Sequence, residues 1–180
     1  MLLPAISFEA ITRTVRRFGG SRRGSAAVEF ALVAPMFFAL IFAIIETSLV
    51  FFAGQVLETA NQDTARLLLI SSAPSQAAYK QALCDRVSVI LACANVYVDV
   101  RLYPAGTAIT ITDPIDASGN FTNNFVYSTP VAGATDTIVA RSFYQWPLLV
   151  TQLGYNIANI GRGTTSSYRL LASTAAVRQQ

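Results

Sequence analysis

The chain has 180 residues, of which 53% are hydrophobic and only 13% charged, with a mean hydropathy of +0.45, a formal charge of +3 and no histidine. This is too apolar for an ordinary soluble domain and points to a membrane segment; the length leaves room for one small domain beside it and excludes a large two-domain enzyme. Residues 1–24 carry Arg13, Arg16, Arg17, Arg22 and Arg23 against Glu9, a net of +4, whereas residues 25–180 hold eight Lys/Arg against nine Asp/Glu, a net of −1. Basic character confined to an arm before an apolar run is the signature of a cytoplasmic flank, and it is not the basic face of a domain that binds nucleic acid.

After the arm, residues 25–54 form an apolar run interrupted by Glu29, Glu46, Thr47 and Ser48. Its uncharged part, residues 30–45, covers about 24 Å as a helix, short of a bilayer core of about 30 Å; adding Leu49, Val50, Phe51, Phe52 and Ala53 completes one transmembrane helix. The helix is expected to continue as a neck over residues 55–70, with Leu57, Ala60, Thr64, Leu67 and Leu68 at helical spacing and Glu58, Asn61, Asp63 and Arg66 on the other faces. A break over residues 71–75 follows, and Ser75 is placed to cap a second helix reaching about residue 91, with Tyr79, Leu83, Val87 and Ile90 as its apolar stripe.

Beyond Cys93 the period changes from helical to alternating. Residues 95–103 set Val96, Val98, Val100 and Leu102 against Tyr97, Asp99, Arg101 and Tyr103, a half-buried strand. Residues 107–112 repeat the alternation with Ile109 and Ile111, and residues 137–146 and 168–177 read as a third and a fourth strand. Residues 113–124 are rich in turn formers; Asp113, Asp116 and Asn120 miss the calcium-loop spacing and read as a hairpin loop. The expected fold is α+β: a single N-terminal transmembrane helix extended into a domain with a second helix and a small antiparallel sheet of about four strands.

The most specific local feature is the run Arg22-Arg23-Gly24-Ser25-Ala26-Ala27-Val28-Glu29-Phe30. A secretory signal has its small-residue cleavage site after the apolar stretch, whereas this small-residue junction lies before it. The arrangement resembles the class III leader of type IV pilin-like proteins, in which a prepilin peptidase cuts after the glycine and leaves the apolar helix on the mature chain. Glu29-Phe30 is similar to the Glu-Tyr/Glu-Phe junction of the tight-adherence (Tad/Flp) system. With Pro35 inside the helix, Glu46 near its far end, and Cys84 and Cys93 before Val98-Asp99-Val100-Arg101, the chain resembles the TadE-like minor pseudopilins along nearly its whole length.

That resemblance implies a layout: a cytoplasmic leader over residues 1–24, a transmembrane helix over 25–54, a helical neck and break over 55–74, and a periplasmic α+β domain over 75–180. It implies cleavage between Gly24 and Ser25 and pairing of Glu29, beside Phe30, with the new amino terminus of a neighbouring subunit. The implied partners are the prepilin peptidase, other Tad/Flp pilins and pseudopilins, the inner-membrane assembly platform and the lipid bilayer. No cofactor and no metal are expected. The alternative is an uncleaved single-pass adaptor whose outer domain binds a ligand or another protein.

Each of these residues also has a plainer reading. Glu29 at a helix start is stabilised by its own helix N-terminus and by lipid headgroups. Ala27, Ala31, Pro35, Ala39 and Ala43 recur every four residues, a spacing that lets helices approach closely in lipid, yet alanine is also simply a good helix former. Glu46 either snorkels to the outer interface or pairs with a partner helix. Cys84 and Cys93 either form a disulfide, permitted outside the cytoplasm, or are two buried thiols. Tyr144, Trp146, Pro147, Leu148, Leu149 and Val150 form an apolar patch that serves a subunit contact or the core. Without histidine no His-based triad or shuttle exists, and no nucleotide or nucleophile motif occurs. Lys80, the sole lysine, lies on the polar side of an amphipathic helix as a solvated charge.

Overall fold

The computed structural model describes residues 24–70, 75–131, 133–153, 155–164 and 166–178; residues 1–23, all of the expected leader except Gly24, lie outside the described residues. The elements in chain order are helix α1 (Ser25–Leu69), helix α2 (Gln76–Val87) and strands β1 (Val96–Tyr103), β2 (Thr137–Pro147) and β3 (Tyr168–Arg178), with short 3-10 turns at Cys93–Asn95 and Val150–Leu153. The chain separates into two compact units that divide α1 between Phe42 and Ala43.

In the first unit the helix is apolar on all sides, with Phe30, Leu32, Val33, Met36, Phe37 and Leu40 all exposed. A helix with no polar face and no protein cover is suited to lipid. The stretch Ala26–Leu69 is the one candidate membrane span among the described residues, and none of its most apolar window is buried in the fold. Pro35 lies inside α1, which continues through it.

The second unit is built on a three-stranded antiparallel sheet in the order β1-β2-β3. Register follows the alternation of side chains: Val98 faces Ser142, Val100 faces Ala140 and Ser142 faces Ser173. On one face Val96, Val98, Val100, Ile138, Ala140 and Leu171 meet Val50, Ala53, Leu57, Ala60 and Leu68 of α1 and Tyr79, Leu83 and Val87 of α2. The buried positions of α1 step by three and four residues, which keeps them in one stripe along a 3.6-residue helix. On the other face Phe143, Leu170 and Tyr97 are covered by Ile115, Phe121, Phe125 and Ile160 from the connecting segments. Both faces are therefore buried in part, each by a different set of elements.

Ser75 caps α2 as expected, its Oγ accepting the Ala78 N–H at 3.2 Å. The helix ends at Val87, earlier than the sequence pattern implied, and Cys84 is disulfide-bonded to Cys93 in the turn that leads into β1.

The sheet has three strands where about four were expected, because residues 107–112 join no ladder. Ile109 and Ile111 both face solvent. β2 is already paired on both sides, and the outer edge of β1 is taken at Val100, which donates to the Val126 carbonyl and accepts from the Ser128 N–H in a parallel bridge. Alternation alone does not make a strand without a pairing partner. The next residues do form a tight hairpin: Asp116 Oδ1 accepts the N–H groups of Ser118 and Asn120, and Gly119 takes the positive φ of 79° that the turn needs.

Candidate functional site

The residues singled out from the sequence fall into two places. Gly24 and the start of α1 at Ser25 stand at the head of the apolar helix, with Glu29 and Phe30 one turn on; Phe30 is exposed, and a Cβ added at Gly24 would meet nothing within 4 Å. Ala27 and Ala31 are exposed, and Ala39 and Ala43 partly so. The row winds around α1 by about 40° per step, since four residues overshoot one turn.

The second place is the turn of α1 where the sheet begins to cover it. Glu46 is only 7% exposed. Its carboxylate accepts the N–H of Leu149 in a short hydrogen bond and the N–H of Val150 at 3.2 and 3.3 Å. Glu46 is thus partnered within the chain itself. It caps the 3-10 turn Val150–Leu153 that follows β2, an anion on otherwise unsatisfied backbone donors. One residue on, Thr47 Oγ1 donates to the Ala43 carbonyl at 2.7 Å and accepts from the Tyr155 hydroxyl at 3.2 Å. The apolar patch after Tyr144 is divided by this contact: Tyr144, Leu148 and Val150 join the core, while Leu149 is 84% exposed.

Further along the same helix Asn61 is fully buried, where the sequence placed it on a polar face. Its Oδ1 accepts the Tyr79 hydroxyl at 2.9 Å and the Ser142 hydroxyl, and its Nδ2 donates to the Ala140 carbonyl at 3.1 Å. Helix α1, helix α2 and strand β2 are joined at one amide. Burial pushes the Tyr79 hydroxyl well above its ordinary value, and the neighbouring Tyr127 adds to this.

On the opposite sheet face Asp99, fully buried, receives Arg141 Nη2 at 2.6 Å, Arg101 Nε at 3.1 Å and the Val126 N–H at 2.9 Å. Arg141 donates in turn to the Thr112 carbonyl at 2.7 Å and lies over the Phe143 ring at 5.2 Å. This network holds the long β1–β2 connection against the sheet. Both carboxylate oxygens of Asp99 are taken up by structural partners, so the cluster acts as a clamp. The Asp116 carboxyl is likewise used within its hairpin, where hydrogen bonds from the Asn120 backbone and side chain hold it below the usual carboxylate range. Among the described residues no group of three His, Cys, Asp or Glu side chains could hold a metal ion. Lys80 Nζ reaches the Ala94 carbonyl at 3.4 Å on an exposed surface.

Fold and site together define an α+β protein with a single helix suited to span a membrane, whose far end forms part of the core beneath a small antiparallel sheet. The family model described as TadE-like protein matches residues 24–66, the stretch that starts at the glycine junction and runs through the lipid-suited helix to the Asn61 contact. Over that stretch, and over no more of its length, the chain is similar to the TadE-like family. Comparison with curated proteins and with solved structures finds no match.

Proposed function

We infer that the chain is a minor pseudopilin that takes part in assembling a Tad/Flp-type pilus used in surface attachment. A prepilin peptidase removes residues 1–24 on the cytoplasmic side, residues 25–54 anchor the product in the inner membrane, residues 55–74 form the neck and break, and residues 75–180 lie in the periplasm. The observation that carries this reading is a coincidence at one point: the matched family region begins at Gly24 and α1 begins at Ser25, the residue that cleavage would make the new amino terminus.

Glu29 is four residues after Ser25, one helical turn into the apolar segment. A carboxylate inside an apolar segment is disfavoured in lipid, and pairing it with the Ser25 ammonium of the preceding subunit favours its place there and sets the register of addition. Ala27, Ala31, Pro35, Ala39 and Ala43 let neighbouring helices approach. The protein acts by noncovalent helix packing with other pilins and the assembly platform, and the bond cleavage belongs to the peptidase.

N-terminal sequencing of the protein from membranes of a peptidase-containing host tests the reading. The expected result is a start at Ser25 that disappears both in Gly24→Ala and in a peptidase-null strain. A start at or near Met1 in the competent host overturns it in favour of an uncleaved membrane-anchored adaptor.

A further inference from the structure

The connection between β2 and β3 is tied twice to one turn of α1, by the Glu46 carboxylate to the Leu149 and Val150 amides and by Thr47 to the Tyr155 hydroxyl. Between these ties Leu149 points away from the core at 84% exposure, although Leu148 and Val150 on either side are buried. Leu49, Phe51 and Phe52 are exposed on the adjoining turns of α1, and Tyr155 is itself exposed. Exposed apolar and aromatic side chains are thus contributed by two distant parts of the chain that hydrogen bonds join at Glu46 and Thr47.

The depth of that junction follows from helix arithmetic, given the membrane-spanning reading of α1 on which this inference rests. The uncharged run 30–45 supplies about 24 Å, so a core of about 30 Å takes roughly four more residues from beyond it. Glu46 and Thr47 then lie within the outer boundary, and the loop bonded to them lies at the same level. A carboxylate at that depth needs donors, and the two loop amides supply them.

We propose that the β2–β3 connection is a membrane-interface foot, with Leu149 inserted between phospholipid headgroups and acyl chains and Tyr155 at headgroup level. Phospholipid is the occupant because the turn that ties the loop belongs to the candidate membrane span of α1, and because a tyrosine and a protruding leucine on one tied loop suit a layer that is apolar below and wet above.

The test uses the full chain in phosphatidylcholine–phosphatidylglycerol vesicles, with single cysteines carrying an environment-sensitive fluorophore while Cys84 and Cys93 remain bonded to each other. Leu149→Cys is compared with Phe38→Cys in the span and with Val89→Cys, 94% exposed in the turn after α2. Lipids with a nitroxide near the headgroup are expected to quench position 149 about twofold or more over those with it near the chain end. Position 38 should show the reverse order and position 89 should be quenched by neither. If position 149 behaves like position 89 while position 38 is quenched, the foot is overturned and the span stands. Loss of quenching at position 38 overturns the span and the foot together. An apolar emission at position 149 that ignores the nitroxides and scales with protein-to-lipid ratio assigns the surface to a neighbouring subunit and overturns the lipid assignment.

Discussion

Asn61 occupies the middle of a helix stripe that otherwise buries Leu57, Ala60, Thr64 and Leu68, and it is tolerated there because all of its partners are in place. An amide buried without them would cost about 1–3 kcal/mol, so the three contacts also select one docking of α1 against α2 and β2. Tyr79 makes this visible in solution. Its folded pKa is raised above the ordinary value of 10.0, so its contribution to stability is complete below pH 10. It is lost as the pH climbs further, because the unfolded chain releases a proton that the folded chain keeps, at about 1.4 kcal/mol per pH unit. Urea unfolding of the detergent-solubilised chain between pH 8 and 12 is expected to show this fall. Tyr79→Phe should be about 1 kcal/mol less stable at neutral pH and show a shallower alkaline slope. Identical slopes for the two proteins would remove Tyr79 from the explanation.

At the scale of elements, α2 is a twelve-residue helix attached to the sheet along one stripe and through one covalent link. Tyr79, Leu83 and Val87 are fully buried, and Cys84 is bonded to Cys93 nine residues later, just before β1. Closing a loop of that size restricts the unfolded chain by about 2.7 kcal/mol in the chain-entropy account. Replacing both cysteines by serine should lower the unfolding free energy by roughly that amount and loosen the turn after α2, with the β2–β3 pairing retained. Urea titration combined with amide hydrogen exchange would show it, and an unchanged midpoint would mean that the apolar stripe alone sets the position of α2. On the other sheet face the Asp99–Arg141 pair does for the β1–β2 connection what the disulfide does for α2: it holds a segment with few backbone hydrogen bonds of its own against a regular element.

At the scale of the molecule, α1 has two occupations along one continuous sequence, exposed and apolar on all sides up to Phe42 and buried along a stripe from Glu46 onward. In the proposed assembly these correspond to packing among pilin helices and anchoring of the outer domain. Glu29→Leu should leave membrane insertion intact, since it removes a charge from an apolar helix, yet reduce incorporation into pili by about tenfold or more through loss of roughly 1.4 kcal/mol or more of pairing. Fractionation together with quantification of sheared pili separates the two effects, and normal incorporation would count against the register role.

Much of this organisation was legible from residue order. The apolar run, the Ser75 cap, the stripe Tyr79-Leu83-Val87 and the alternation around Val98 and Val100 are local patterns, and helix and strand periods are local properties of a chain. Cys84 and Cys93 were likewise visible as a candidate pair, with two buried thiols as the other reading, and the structure bonds them. What only the tertiary structure decided were matters of distant partners. Residues 107–112 alternate as well as a strand does but find both sheet positions beside β2 and the edge of β1 occupied. Asn61 is polar in type but buried in place, because Tyr79, Ser142 and Ala140 arrive from 18, 81 and 79 residues away. Glu46 is satisfied by amides more than 100 residues along the chain, and periodicity carries no information about a partner at that separation. Composition and period determine which faces must be buried; which polar groups can be buried with them depends on what the fold brings alongside.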